Sequence, residues 1–126
     1  MVDDIIMCGK VTDRDILAKY YNRADLFLFP SLYDASSIVQ IEAASQMTPT
    51  LFIKGAATTC TVSENINGFI SENDINLYAK KIDEIMSNQN LYDKVSSNAY
   101  KDLYKNWDDT ILDVYQKYLE HIEKYR

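Results

Sequence analysis

Residues 24–34 read Ala24-Asp25-Leu26-Phe27-Leu28-Phe29-Pro30-Ser31-Leu32-Tyr33-Asp34. From Leu26 to Phe29 every position is apolar, so both faces of the segment call for burial. That is the pattern of an interior strand in a parallel sheet, not of a strand with one wet face. Pro30 has no N–H for a ladder and stops the strand. A polar connection, Ser31 to Ser36, follows. Ser36 or Ser37 then caps a helix from Ile38 to Gln46, with Ile38, Ile41, Ala44 and Ser45 at a 3.6-residue period. Strand, short loop and helix make half of a βαβ unit.

Working outward, Ile5-Ile6-Met7-Cys8 ends at Gly9 and reads as another buried strand. A helix from Thr12 or Asp13 to about Tyr21 joins it to the central strand. On the other side, Pro49 to Lys54 is a third strand closed by Gly55. Ala56 to Val62 is a loop of small residues or a short helix. Asn65 to Gly68 is a turn, because Asn and Gly tolerate positive φ, and Gly68 to Ile70 is a short fourth strand. Three helices follow. One is capped by Asn73 or Asp74 and carries Ile75, Tyr78, Ala79, Ile82, Ile85 and Met86. The next is capped by Asn88 or Asn90 and carries Leu91, Val95, Ala99 and Leu103. The last starts near Trp107 and shows a wide apolar stripe from Ile111 to Tyr125. The expected fold is α/β: a doubly wound, Rossmann-like parallel sheet followed by C-terminal helices.

Composition narrows the function classes. With 13 Lys and Arg against 19 Asp and Glu, the net charge is −6, which speaks against nucleic acid as a partner. No apolar run reaches membrane-spanning length. Two cysteines and a single histidine, His121, make neither a disulfide framework nor a zinc set. Cys8 reads as a small core residue and Trp107 as a packing anchor for the last helix. No two glycines are close enough for a phosphate-binding glycine loop.

Ligands of open parallel sheets bind beyond the carboxyl ends of the strands. That rule selects the loops Gly9–Asp13, Ser31–Ser37, Gly55–Thr61 and Ser71–Asp74. In the second loop Asp34 precedes a helix N-terminus, and Glu42 lies inside that helix. Between them are the free N–H groups of Ser36, Ser37 and Ile38, which suit an anion. Amides for a phosphate and carboxylates for neutral hydroxyls fit a nucleoside diphosphate sugar. Spacing alone favours the plainer reading, Asp34 as a turn residue and Glu42 as a solvent-facing helix residue, because such a pair often arises by chance. Lys10, Arg14 and Lys54 read as solvated surface residues.

The stretches Ala24 to Asp34, Ile41-Glu42-Ala43-Ala44, Thr48-Pro49-Thr50 and Asn65 to Ile70, with Trp107-Asp108 in order after them, resemble the family 4, or group 1, glycosyltransferases. The resemblance implies a retaining hexosyltransferase-type enzyme of the GT-B fold. Its donor would be a nucleoside diphosphate sugar and its acceptor an alcohol, on a lipid or a polysaccharide, with no metal and no other cofactor. It also implies residue roles. Glu42 accepts hydrogen bonds from the donor ribose, Asp34 is the catalytic acidic residue at the donor sugar, and Ser36, Ser37 and Ile38 bind the phosphate end. Three positions depart from the family pattern: Asp34 stands for the usual Glu, Ser37 for a Gly, and Met47 for the Gly that ends the helix. The Asp form resembles a branch of low-GC Gram-positive bacteria, which implies a bacterial, cytoplasmic protein that meets the membrane through an N-terminal domain. The chain corresponds to the last third of such an enzyme, beginning at the third strand of the nucleotide-sugar-binding domain. The resemblance implies that the acceptor domain and the basic diphosphate clamp lie outside this stretch, so alone it is expected to be inactive. The alternative is a non-catalytic nucleotide-sugar-binding or partner subunit with a decayed donor site. In the strand order 3-2-1-4-5-6, the third and fourth strands are not neighbours. Ile5–Cys8 is therefore expected to swing in and pair, in parallel, with Leu26–Phe29.

Overall fold

The computed structural model describes residues 4–34 and 38–126. Its elements are α1 (Arg14–Arg23), β1 (Phe27–Phe29), α2 (Ile38–Ser45), β2 (Thr50–Ile53), a 3-10 turn (Ala57–Thr61), β3 (Phe69–Ser71), α3 (Ile75–Met86), α4 (Gln89–Asp102) and α5 (Trp107–Lys124). The three strands form one parallel sheet in the order β1-β2-β3. Leu28 sits opposite Leu51, which sits opposite Phe69; Phe29, Phe52 and Ile70 make the next row. Every residue of β2 is buried, so both faces of the central strand are covered. This is the doubly wound arrangement expected from apolar, unalternating strands.

Successive side chains point to opposite faces. Leu51 and Phe69 meet Ile85 of α3 and Val95 of α4, with Tyr78, Ile82, Leu91 and Tyr92 around them. Phe52 points the other way, edge-on to Phe29. A Cβ on Gly68 would come within 2.7 Å of Val62 and 3.3 Å of Phe52. Gly68 therefore serves close packing. The positive φ of this turn belongs to Asn65.

The helix starts follow their caps. The Asp13 carboxylate accepts from the N–H groups of Asp15 and Ile16, Asp74 from those of Asn76 and Leu77, and Asn88 from that of Leu91. The cap expected from Ser36 or Ser37 lies outside the described residues. The buried face of α2 is Gln40, Ala43 and Ala44, one position away from the expected stripe, and Ile38 is exposed. The two alanines let α2 lie close to β1 and β2.

The end of α2 explains one departure from the family pattern. The N–H of Thr48 reaches the carbonyl of Ala43 at 3.0 Å, and that of Met47 the carbonyl of Ala44 at 3.0 Å. This is a Schellman closure, and its left-handed residue is Met47, with φ 59°. A side chain in that region costs about 1–2 kcal/mol. Met47 is 48% exposed, so its packing returns little of that cost. Met47→Gly should therefore stabilise the chain by about 1 kcal/mol, seen as a melting point a few degrees higher. A lower melting point would contradict this account of the turn.

The expected strand Ile5–Cys8 is not formed, and it does not pair with β1. Ile5, Ile6 and Met7 are 65%, 85% and 89% exposed, and Cys8 is exposed rather than a core residue. The helix that follows it, α1, is nonetheless anchored to the rest of the fold. Tyr21 packs edge-on against Phe27, and the Thr48 hydroxyl donates to the Tyr21 carbonyl at 2.6 Å. The tetrapeptide before it stands apart from β1, and the Cys8 thiol donates only to the nearby Ile6 carbonyl among the described residues. A strand needs a ladder partner as well as apolar residues. Among the described residues, none pairs with the outer edge of β1.

The stripe on α5 is bare, as its width in the sequence predicts. Ile111, Leu112, Tyr115, Tyr118, Ile122 and Tyr125 are all exposed. Trp107 is 80% exposed, so it does not anchor the helix by packing. Among the described residues, no helix is long and apolar enough to cross a membrane.

Candidate functional site

Helices that alternate with parallel strands run opposite to them, so α1 and α2 both begin at the carboxyl edge of the sheet. Arg14 is the first residue of α1, and Glu42 lies in the second turn of α2. The two helices pack side by side. The Arg14 guanidinium donates to Glu42 Oε1 at 2.5 Å, and the Tyr21 hydroxyl approaches Oε2 at 3.5 Å. The Glu42 side chain is 22% exposed and that of Arg14 80%. Burial first, and then the neighbouring Glu42 carboxylate, raise the Tyr21 phenol above its ordinary range. Tyr21 therefore stays protonated and acts as a donor. Arg14, Tyr21 and Glu42 share a groove of about 560 Å³ with Ser45, Tyr104 and Trp107.

A second groove, of about 410 Å³, lies across the carboxyl ends of the strands, lined by Pro30, Ile53, Glu72, Asp74 and Tyr78 among others. Burial pushes the Tyr78 phenol up to about 12. Its hydroxyl donates to the Leu51 carbonyl at 2.8 Å, so it is a fixed donor and not an acid or base near neutral pH. Lys54 is paired with Glu72 at 2.5 Å.

The residues picked from the sequence meet these surfaces unequally. Glu42 faces the groove between α1 and α2. Asp34 is half-buried at the end of the connection that leaves β1, and among the described residues it shares no hydrogen bond with Glu42. Ile38 opens α2 with its side chain exposed, which leaves its N–H at the helix start. Ser36 and Ser37 lie outside the described residues. Reading the sequence missed Arg14 as a partner of Glu42. Its one local signal was its place just after a capping Asp, and the pairing spans 28 residues. It also missed Trp107 as a groove residue.

Residues 2–102 match the family model described as glycosyl transferases group 1. The chain belongs to the group 1 glycosyltransferases. Among curated glycosyltransferases it is similar to an uncharacterized one of Methanocaldococcus jannaschii, 28% identical over 98 residues, which are 75% of this chain and 25% of that protein. Among solved structures it is similar to sucrose-phosphate synthase of Thermosynechococcus elongatus, with a TM-score of 0.75 and 25% identity over 92% of this chain and 30% of that one. The C-terminal domain of a group 1 glycosyltransferase of Francisella tularensis superposes with a TM-score of 0.65 at 21% identity, over 74% of this chain and 48% of that one. An Anabaena protein solved in complex with UDP-glucose gives 0.64 at 17% identity, over 84% of this chain and 29% of that one. The last two likenesses bear on the fold alone. The chain thus spans a quarter of the curated glycosyltransferase it matches. The three-stranded parallel sheet with flanking helices corresponds to the C-terminal domain of such GT-B proteins.

Proposed function

We propose that this chain supplies the donor half of a retaining, hexosyltransferase-type enzyme. It binds a nucleoside diphosphate sugar whose hexose passes to an acceptor hydroxyl with its anomeric configuration kept. The observation that carries the reading is Glu42. A carboxylate in the second turn of a helix that starts at the carboxyl edge of the sheet faces a groove of nucleoside size. Ionised, it accepts hydrogen bonds from the vicinal hydroxyls of a ribose. The N–H groups of Ser37 and Ile38 at the start of α2 take the distal phosphate, with Ser36 beside them. They stabilise charge as the bond from the anomeric carbon to the phosphate oxygen breaks. Asp34, the proposed catalytic residue, accepts from the hydroxyls of the sugar. No protein nucleophile, metal or further cofactor enters this scheme.

The Asp at position 34 suggests a low-GC Gram-positive origin. It also suggests a lipid or polysaccharide acceptor met at the cytoplasmic face of the membrane. The competing reading, a subunit that binds donor without turning it over, draws on the same short Asp34 and on Ser37.

Calorimetric titration of the intact protein with UDP and GDP tests the site, and NMR of the product's anomeric signal tests retention. No binding of either nucleotide would sink the proposal, whereas binding without transfer would favour the non-catalytic subunit. Asp34→Asn should lower turnover by about tenfold or more and leave the Kd for the nucleoside diphosphate within about twofold, because the contact is made at the reacting end. Equal losses in both would misplace Asp34.

A further inference from the structure

The pair between α1 and α2 has a part that the reading above does not use. A carboxylate offers about four lone-pair sites, two on each oxygen. Arg14 takes one on Oε1, and the Tyr21 hydroxyl is aimed at one on Oε2. One site on each oxygen is left for the groove, which is what two vicinal hydroxyls require. We infer that Arg14 is a positioning residue for Glu42: with Tyr21 it fixes the carboxylate so that one lone pair of each oxygen faces the donor's ribose. The inference rests on the proposed role of Glu42.

Three features separate this from an incidental surface pair. The carboxylate is mostly covered, at 22% exposure, so its end of the pair is partly shielded from water. The backbone of Arg14 is fixed, because the Asp13 carboxylate caps the turn that contains it. Tyr21 is itself immobilised against Phe27, so the second contact does not wander. A glutamate has three rotatable bonds, and holding it ready in advance removes an ordering cost from ligand binding.

The test is a set of titrations of the intact protein with UDP, GDP and 2′-deoxy-UDP. Arg14→Gln should raise the Kd for UDP about five- to tenfold, leave the melting point unchanged and lower the preference for UDP over 2′-deoxy-UDP. Arg14→Lys should recover most of the loss. Arg14→Gln combined with Glu42→Gln should cost no more than Glu42→Gln alone, because both act through one carboxylate. The inference falls if Arg14→Gln binds UDP as well as the unaltered protein or better, or if the two losses add. Should Glu42→Gln leave the Kd unchanged, or neither UDP nor GDP bind at all, the reading of the site itself falls and takes the inference with it.

Discussion

Phe69→Ala costs about 3–5 kcal/mol of folding stability, the usual toll for emptying a fully buried phenylalanine site. Phe69 is completely buried on the inner row of β3, against Leu51, Ile85 and Val95. Neither strand nor helix can close the gap without losing its own partners, because β3 is hydrogen-bonded to β2 in fixed register. A domain of ordinary stability has only about 5–15 kcal/mol to lose. The urea midpoint should therefore fall by roughly a fifth or more, with the slope of the transition unchanged. Leu28→Ala is the control. Leu28 lies on the same row of the sheet but is 45% exposed at the edge strand, and its truncation should cost about 1 kcal/mol or less. Equal midpoints for the two variants would mean that the core does not lie between the sheet and α3–α4.

Glu42→Ala weakens donor binding by about 1.5–3 kcal/mol, roughly ten- to a hundredfold in Kd, through the loss of charge-assisted hydrogen bonds to the ribose. The fold should survive. Arg14, the partner left behind, is 80% exposed and returns to water. Isothermal titration with UDP and GDP beside a thermal melt separates the two effects. An unchanged affinity would remove Glu42 from the site, and a collapsed melt would make it a structural residue.

Local chemistry was legible in the sequence. Asp13, Asp74 and Asn88 are each one of the two caps the sequence offers at its helix start, because a cap is a contact across two or three residues. The strands at Phe27, Thr50 and Phe69 follow from apolar residues on both faces, and the last lies within a residue of its expected place. Ile5–Cys8 has the same composition and failed, since a ladder partner is a property of the neighbourhood and not of the segment. The left-handed turn at Met47 was visible only as a departure from a family pattern. Glu42 was legible as a candidate through the same resemblance. Its pairing with Arg14 required the packing of α1 on α2, which no spacing encodes. Trp107 read as a core anchor because its size favours burial, whereas α5 offers it nothing to pack against.

The core described above is assembled from residues far apart in the order of synthesis. Leu51 and Phe69 lie on strands, but Val95, which packs against them, lies on α4, whose last buried residue is Ala99. The Tyr92 hydroxyl reaches back to the Asp25 carbonyl, and the Ser96 hydroxyl to that of Met47. A ribosome adding about 5–20 residues per second needs roughly 2–6 s to pass from Phe69 to Ala99. For that interval the nascent chain carries an apolar sheet face whose cover of α3 and α4 is incomplete. That is the window in which a chaperone, or a neighbouring nascent chain, meets it first.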